Sequence, residues 1–181
     1  DGWNGFAVLH TAASAVGALD VGFVPGEGGL DAEKMVAPGA LDVLFLLGAD
    51  EVDVPAGAFV VYIGTHGDRG AHRADVILPG AAYTEKSGIY VNTEGRVQMG
   101  NRAGFPPGDA REDWAVLRAL SDTLGERLPY DSLQQLRQAM FKTVPHLMRI
   151  DQIEASDGAA ALKALAARGG NVDKAAFKSS V

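Results

Sequence analysis

The 181-residue sequence predicts an α/β fold: a mostly parallel sheet flanked by helices, followed by an irregular loop-rich segment and a helical C-terminal tail. Two observations on the strands carry this. Val43–Leu47 and Phe59–Ile63 are apolar runs of strand length, each closed by a glycine, and neither alternates apolar with polar residues. Strands covered on both faces read that way, as in a parallel sheet between helix layers. A third observation concerns their surroundings. Helix-periodic stretches lie before and after the runs, which favours packed helix and sheet layers over a β-sandwich.

In chain order, Gly5–Leu19 places Phe6, Leu9, Ala13 and Val16 on one helical face behind a capping Asn4. The Pro- and Gly-rich string Val24–Gly29 is a loop, and a short helix over Asp31–Val36 ends before Pro38. After the two long runs, Val76–Leu78 forms a third strand stopped by Pro79. From Pro79 to Pro107 the composition predicts one long irregular segment, a length at which loops are usually functional or wrapped over a partner. Asp109 is placed to cap a helix with the stripe Trp114, Leu117, Leu120 and Leu124, and Glu112 and Asp113 in its first turn suit the helix dipole. Asp131 is placed to cap another, with Leu133, Leu136 and Met140 facing inward. Beyond Pro145 an Ala-rich helix over Ala159–Ala167 is ended by Gly169-Gly170, and the last residues read as frayed. The expected organisation is therefore an α/β domain over 1–142 and a partly helical, flexible tail over 143–181.

Composition removes several function classes. With no cysteine, this segment cannot hold a disulfide framework, a cysteine-ligated iron–sulfur cluster, a thiolate zinc site or a cysteine nucleophile. The net charge is −7, and it is uneven: residues 1–60 hold nine acidic side chains and one basic one, Lys34. Such a front portion repels phosphate backbones, and no basic cluster interleaved with aromatics follows, so no nucleic-acid partner is expected. No apolar run approaches the roughly 18–20 residues of a spanning helix, so direct membrane insertion is not expected either. No signal peptide is visible, and a start at Asp1 rather than Met predicts a piece of a longer protein.

The candidate chemistry is sparse. Gly64, Gly67 and Gly70 follow a strand, where glycines let backbone N–H groups approach a phosphate. Their spacing fits neither a P-loop nor a dinucleotide fingerprint, and Asp68 would oppose an anion, so a tight turn is favoured. His66 and His72, with Asp68 and Asp75, are metal-type ligands without the one-face geometry of a helical His pair, and no metal site is expected. His10 and His146 read as structural or exposed. Glu85, Lys86, Asn92, Glu94 and Arg96 supply acid and base groups, and Ser87 lacks a neighbouring histidine to activate it. Asn92 and Gly95 suit turns, and Glu85 with Arg96 is expected to brace two loop arms. No catalytic residue is expected.

The string Arg73–Lys86, which contains Ala74-Asp75-Val76-Ile77-Leu78-Pro79, and its continuation Ser87–Gln98, which contains Asn92-Thr93-Glu94-Gly95-Arg96, resemble the signature of the molybdopterin oxidoreductase superfamily. Within it the likeness is nearest to the large iron–sulfur subunits of NADH:quinone oxidoreductases, respiratory complex I. Pro106-Pro107-Gly108, Ala110–Trp114 and Leu128–Asp131 also resemble those subunits. The likeness is dense from Gly48 to Met140.

This resemblance implies a partial molybdopterin-oxidoreductase-like domain from the C-terminal part of such a subunit. Its iron–sulfur clusters are expected outside this segment, near the N-terminus of the parent, and its relatives continue past the position of Val181. In active molybdenum enzymes, loops of this kind contact a pterin guanine dinucleotide beneath a C-terminal β-barrel; here no succession of alternating strands follows to build that barrel. Asp75, Pro79, Glu85, Asn92, Gly95 and Arg96 carry over as fold-defining positions. The implied role is a non-catalytic structural domain among the other subunits of the complex I hydrophilic arm, while the parent passes electrons from NADH to quinone. The implied location is the cytoplasmic side of a bacterial inner membrane or the mitochondrial matrix side. One alternative is a retained pterin- or nucleotide-binding module lined by Gly64, Gly67, Asn92, Gly95 and Arg96. Another is an assembly surface on the acidic 1–60 portion or the tail.

Overall fold

The structure is a computed structural model that describes residues 9, 10, 12–152 and 157–167. By its contacts the chain divides into two units, one of them His10–Gln152. Of the other, the described part is Leu9 and residues 157–167, which include a helix over Gly158–Ala167 where the Ala-rich stretch predicts one. Gly169, Gly170, Asn4 and Phe6 lie outside the described residues.

In the larger unit the first helix, α1, is Ala15–Asp20 and not the long helix expected from Gly5. Residues 12–14 turn instead, with Ser14 at φ 62° and its hydroxyl accepting the backbone N–H of Val91 at 3.0 Å. The Pro- and Gly-rich string after it is a loop, as expected. Helix α2, Ala32–Met35, is capped by Asp31, whose carboxylate accepts the Lys34 N–H at 2.9 Å.

Strands β1 (Val43–Leu47), β2 (Phe59–Gly64) and β3 (Val76–Pro79) form a three-stranded parallel sheet in the order β1-β2-β3. Val43 pairs with Phe59 and Val61 with Val76. Helix α3 (Arg69–Arg73) joins β2 to β3. On one sheet face Leu44, Leu46, Val60 and Tyr62 are buried together, covered by Val36, Leu41, Val54, Ala71 and Ala74. The other face departs from expectation. Strand β2 is covered on both sides after Phe59, but β1 alternates, and Val43, Phe45 and Leu47 are 44–49% exposed. Strand β1 is the edge strand of this sheet, and its side chains on this face stay about half exposed.

The segment from Pro79 to Pro107 is not wholly irregular. It contains an antiparallel hairpin, β4 (Gly88–Val91) and β5 (Val97–Gly100), with Val91 opposite Val97. Four-residue strands leave too little periodicity to separate from a loop. Helix α4 is Asp113–Thr123 and its N-cap residue is Glu112, not Asp109. Leu124, expected on its apolar stripe, is the exposed C-cap, whereas Arg118 and Ser121 are buried. Helix α5, Leu133–Thr143, is capped by Ser132, whose hydroxyl accepts the Gln135 N–H at 3.2 Å, while Gln135 accepts the Asp131 N–H at 2.6 Å. Asp131 is thereby freed for ion pairing. A 3₁₀ turn, Pro145–Met148, follows and buries Leu147 against Val91 and Val97, with Val16, Met140 and Phe141 around it. The unit thus holds two clusters, one on the parallel sheet and one between hairpin, α1 and α5. No closed barrel occurs among the described residues.

Candidate functional site

In open parallel sheets ligands bind beyond the carboxyl ends of the strands. Here that crest is built by the turns after β1 and β2. Gly48, at φ 61°, ends β1 and leads into Asp50 and Glu51; Gly64 ends β2 and leads through Thr65, His66 and Gly67 to Asp68. A cavity of about 910 Å³ opens there, lined by Ala12, Gly48–Val52, Asp68 and Arg69. Its charged lining is three carboxylates and one guanidinium, and that guanidinium reaches Asp53 at 3.0 Å.

Tyr62 stands beneath this crest, 1% exposed. Its hydroxyl donates to Asp50 Oδ2 at 2.8 Å and lies 3.3 Å from the His66 carbonyl oxygen. Burial first, and then the neighbouring Asp50 carboxylate, pushes the phenol up to about 12. The tyrosine, the one side chain with a hydroxyl in the apolar strand β2, was the available sequence signal for this group.

The metal-type ligands do not assemble. His66 Nδ1 lies 2.7 Å from the Thr65 hydroxyl, and Asp75 accepts the Val60 N–H at 2.8 Å. No cluster of three or more His, Cys, Asp or Glu suited to a metal occurs among the described residues. Beside Asp75, the Arg73 guanidinium donates to the carbonyls of Val54, Pro55 and Ala58, so the pair clasps the β1–β2 connection to β3.

The second group of motif residues lies around the hairpin. Asn92 Oδ1 accepts the N–H groups of Glu94 and Arg96 at 3.0 and 2.9 Å, and Gly95 takes φ 82° to close the turn. Glu85 and Arg96 do not brace each other, as had been expected. Glu85 turns back to accept the Ala82 N–H at 2.9 Å, and Arg96 pairs with Asp151 at 3.2 Å. Lys86 is paired with Asp113 at the start of α4, and Ser87 Oγ accepts the Arg102 N–H at 3.0 Å. Pro79 accepts the Arg111 N–H, and Gly80 donates to the Gly64 carbonyl at 2.8 Å, which carries the sheet into the loop region. Asn92 lines a cavity of about 370 Å³ with His10, Ser14, Tyr90, Thr93 and Gln98, whereas Gly64 sits at the end of β2.

Sequence reading also missed a charged hub. Arg118, buried on the inner side of α4, reaches Asp122 and Asp131 at 2.7 Å each and donates to the Tyr130 carbonyl. The Asp122 hydrogen bond, opposed by burial and reinforced by Asp131, raises the guanidinium further above its ordinary range. Arg118 and then Arg127 hold the Asp131 carboxyl below its own.

Comparison with known proteins fits this geometry. The family model for molybdopterin oxidoreductase matches residues 1–123. The chain belongs to the molybdopterin oxidoreductase family. Within that family it is 56% identical over 156 residues to the mitochondrial NADH-ubiquinone oxidoreductase 78 kDa subunit of Neurospora crassa, covering 84% of this chain and 20% of the relative. The Candida albicans 78 kDa subunit is 53% identical over the same shares. The 75 kDa subunit of Reclinomonas americana is 49% identical, over 84% of this chain and 22% of the relative. The chain thus spans about a fifth of the length of these curated relatives. This member of the molybdopterin oxidoreductase family has no helix, among the described residues, long and apolar enough to cross a membrane.

Proposed function

We propose that this chain is a non-catalytic, structural domain of the large iron–sulfur subunit of an NADH:quinone oxidoreductase. In that role it packs among the other subunits of the hydrophilic arm, with the iron–sulfur clusters carried elsewhere in the parent. The arm would face the bacterial cytoplasm or the mitochondrial matrix. One observation carries the reading: Asp75, Glu85, Asn92 and Arg96 of the family motif are spent on the fold. Asp75 and Pro79 tie strands and loops together, Glu85 and Asn92 close turns, and Arg96 reaches Asp151.

A test belongs in the intact complex. Glu85→Ala and Asn92→Ala should each lower the amount of assembled enzyme, through loss of turn hydrogen bonds worth about 1 kcal/mol apiece. NADH:quinone turnover per assembled complex and the cluster electron-paramagnetic-resonance signals should stay unchanged. Normal assembly with a depressed turnover would assign these residues to the reaction and end the proposal.

A further inference from the structure

The family name implies a molybdopterin cofactor, and the crest of the parallel sheet is where such a fold offers room for one. The residues at this crest do not fit it. Glycines in a phosphate-binding turn are there to let backbone meet ligand. Of the three glycines here, none has a positive φ, so the backbone itself demands glycine at none of them. What a side chain would strike differs sharply among them. A Cβ on Gly64 would lie 2.1 Å from Tyr62 Oη and 2.2 Å from Cζ. A Cβ on Gly70 would lie 2.9 Å from Tyr62 Cδ2 and Cε2, and equally from Asp50 Oδ1. A Cβ on Gly67 would meet nothing within 4 Å.

We infer that the glycine-rich turn after β2 is a receptacle for the chain's own Tyr62 phenol, held by Asp50, and not for the phosphates or pterin of a bound cofactor. The two glycines that flank the ring are the two that need to be glycine, and the one away from it is free. The hydroxyl donates to Asp50 Oδ2, while Asp50 Oδ1 is buried without a hydrogen-bond partner and faces Gly70. An anionic ligand seated on Gly64 and Gly70 would have to displace the buried ring, and one in the cavity beyond would face Asp50, Glu51 and Asp68, with Arg69 already paired to Asp53. Tyr62 is thus a positioning residue for the turn and a determinant against anionic ligands. This inference rests on the sheet crest alone and is independent of the parent enzyme proposed above.

A thermodynamic cycle on the full chain tests it. Gly64→Ala should raise the unfolding equilibrium constant at least about tenfold, or about 1.4 kcal/mol, when Tyr62 is present. In a Tyr62→Leu background, which removes the ring atoms that collide, most of that increase should vanish. Gly67→Ala should be neutral or stabilising, by no more than about fivefold. An equal cost of Gly64→Ala in both backgrounds would overturn the inference. Should Tyr62→Leu fail to fold, the wild-type chain decides alone. Millimolar guanosine diphosphate should leave the amide resonances of Gly64, Gly67 and Gly70 unmoved, and saturable shifts at those three would refute the inference.

Discussion

Leu147 offers the sharpest test of how this unit is held together. It sits in a 3₁₀ turn after α5, is 2% exposed, and closes the cluster that contains Val91 and Val97 from the hairpin. Leu147→Ala removes about three methylene equivalents, worth roughly 2.4 kcal/mol of transfer free energy at about 0.8 each. The cavity left behind adds to this and takes the expected loss to about 3–5 kcal/mol. Collapse is hindered because the Asp151 N–H donates to the Val97 carbonyl at 2.7 Å and fixes the segment beyond the turn. With a urea m-value of about 2 kcal/mol/M, the denaturation midpoint should fall by roughly 1.5–2.5 M. Native-state hydrogen exchange gives the spatial readout. Amides of Val91 and Val97 should lose protection in step with the mutation, while those of Val60 and Tyr62, in the other cluster, should keep an opening route of their own. A loss below about 1 kcal/mol would refute the assignment of Leu147 as the keystone of this cluster.

Three further outcomes follow from the same geometry. Phe45→Lys should cost about 1 kcal/mol, because its ring is already 44% exposed, while Leu46→Lys next to it puts an unpaired charge in the core and should prevent folding, as circular dichroism would show. Ser121→Ala should cost about 1–2 kcal/mol by denaturant titration, since its hydroxyl donates to the Arg118 carbonyl and accepts the Leu128 N–H, leaving that N–H without its partner. Tyr62 governs alkaline stability: its phenol, raised to about 12 in the folded chain, favours the neutral form by roughly 2–3 kcal/mol. That contribution is fully present below about pH 10, where an unfolded tyrosine is still protonated, and disappears as pH climbs from there through about 12. Denaturation midpoints of Tyr62→Phe should therefore be flatter than wild type across this window, and parallel curves would contradict the upward shift of the buried phenol.

The parallel sheet was legible because its strands are short and almost wholly apolar, and no other element type accommodates five such residues between a helix signal and a glycine. What periodicity could not reveal was which strand lies at an edge. Val43–Leu47 and Phe59–Ile63 look alike in composition, yet only the second is covered on both faces after its first residue. The hairpin escaped notice for a different reason. Its pairing is declared by the turn, Asn92 to Arg96, and not by its strands, and turn chemistry identifies a reversal without stating how far the pairing runs. Capping errors share one cause. Asp109 and Asp131 are good capping residues by type, but Glu112 and Ser132 hold the capping positions, and the Asp131 carboxylate is claimed by Arg118 and Arg127.

The glycine-rich turn shows why a motif of backbone-permissive residues is ambiguous until its occupant is known. Glycine after a strand admits any group that needs close approach, and a phosphate and a phenol impose the same requirement on the sequence. The discriminating residue is not in the turn at all. It is Tyr62, which lies on the strand two residues before Gly64, and whose hydroxyl needs an acceptor that Asp50 supplies from the neighbouring strand's exit. Acidic side chains in the turns after β1 and β2 point the same way, because Asp50, Glu51 and Asp68 repel an anion while Asp50 accepts from the phenol. A turn read together with the strand that feeds it and the charges that face it therefore separates the two occupants, whereas spacing of the glycines alone does not.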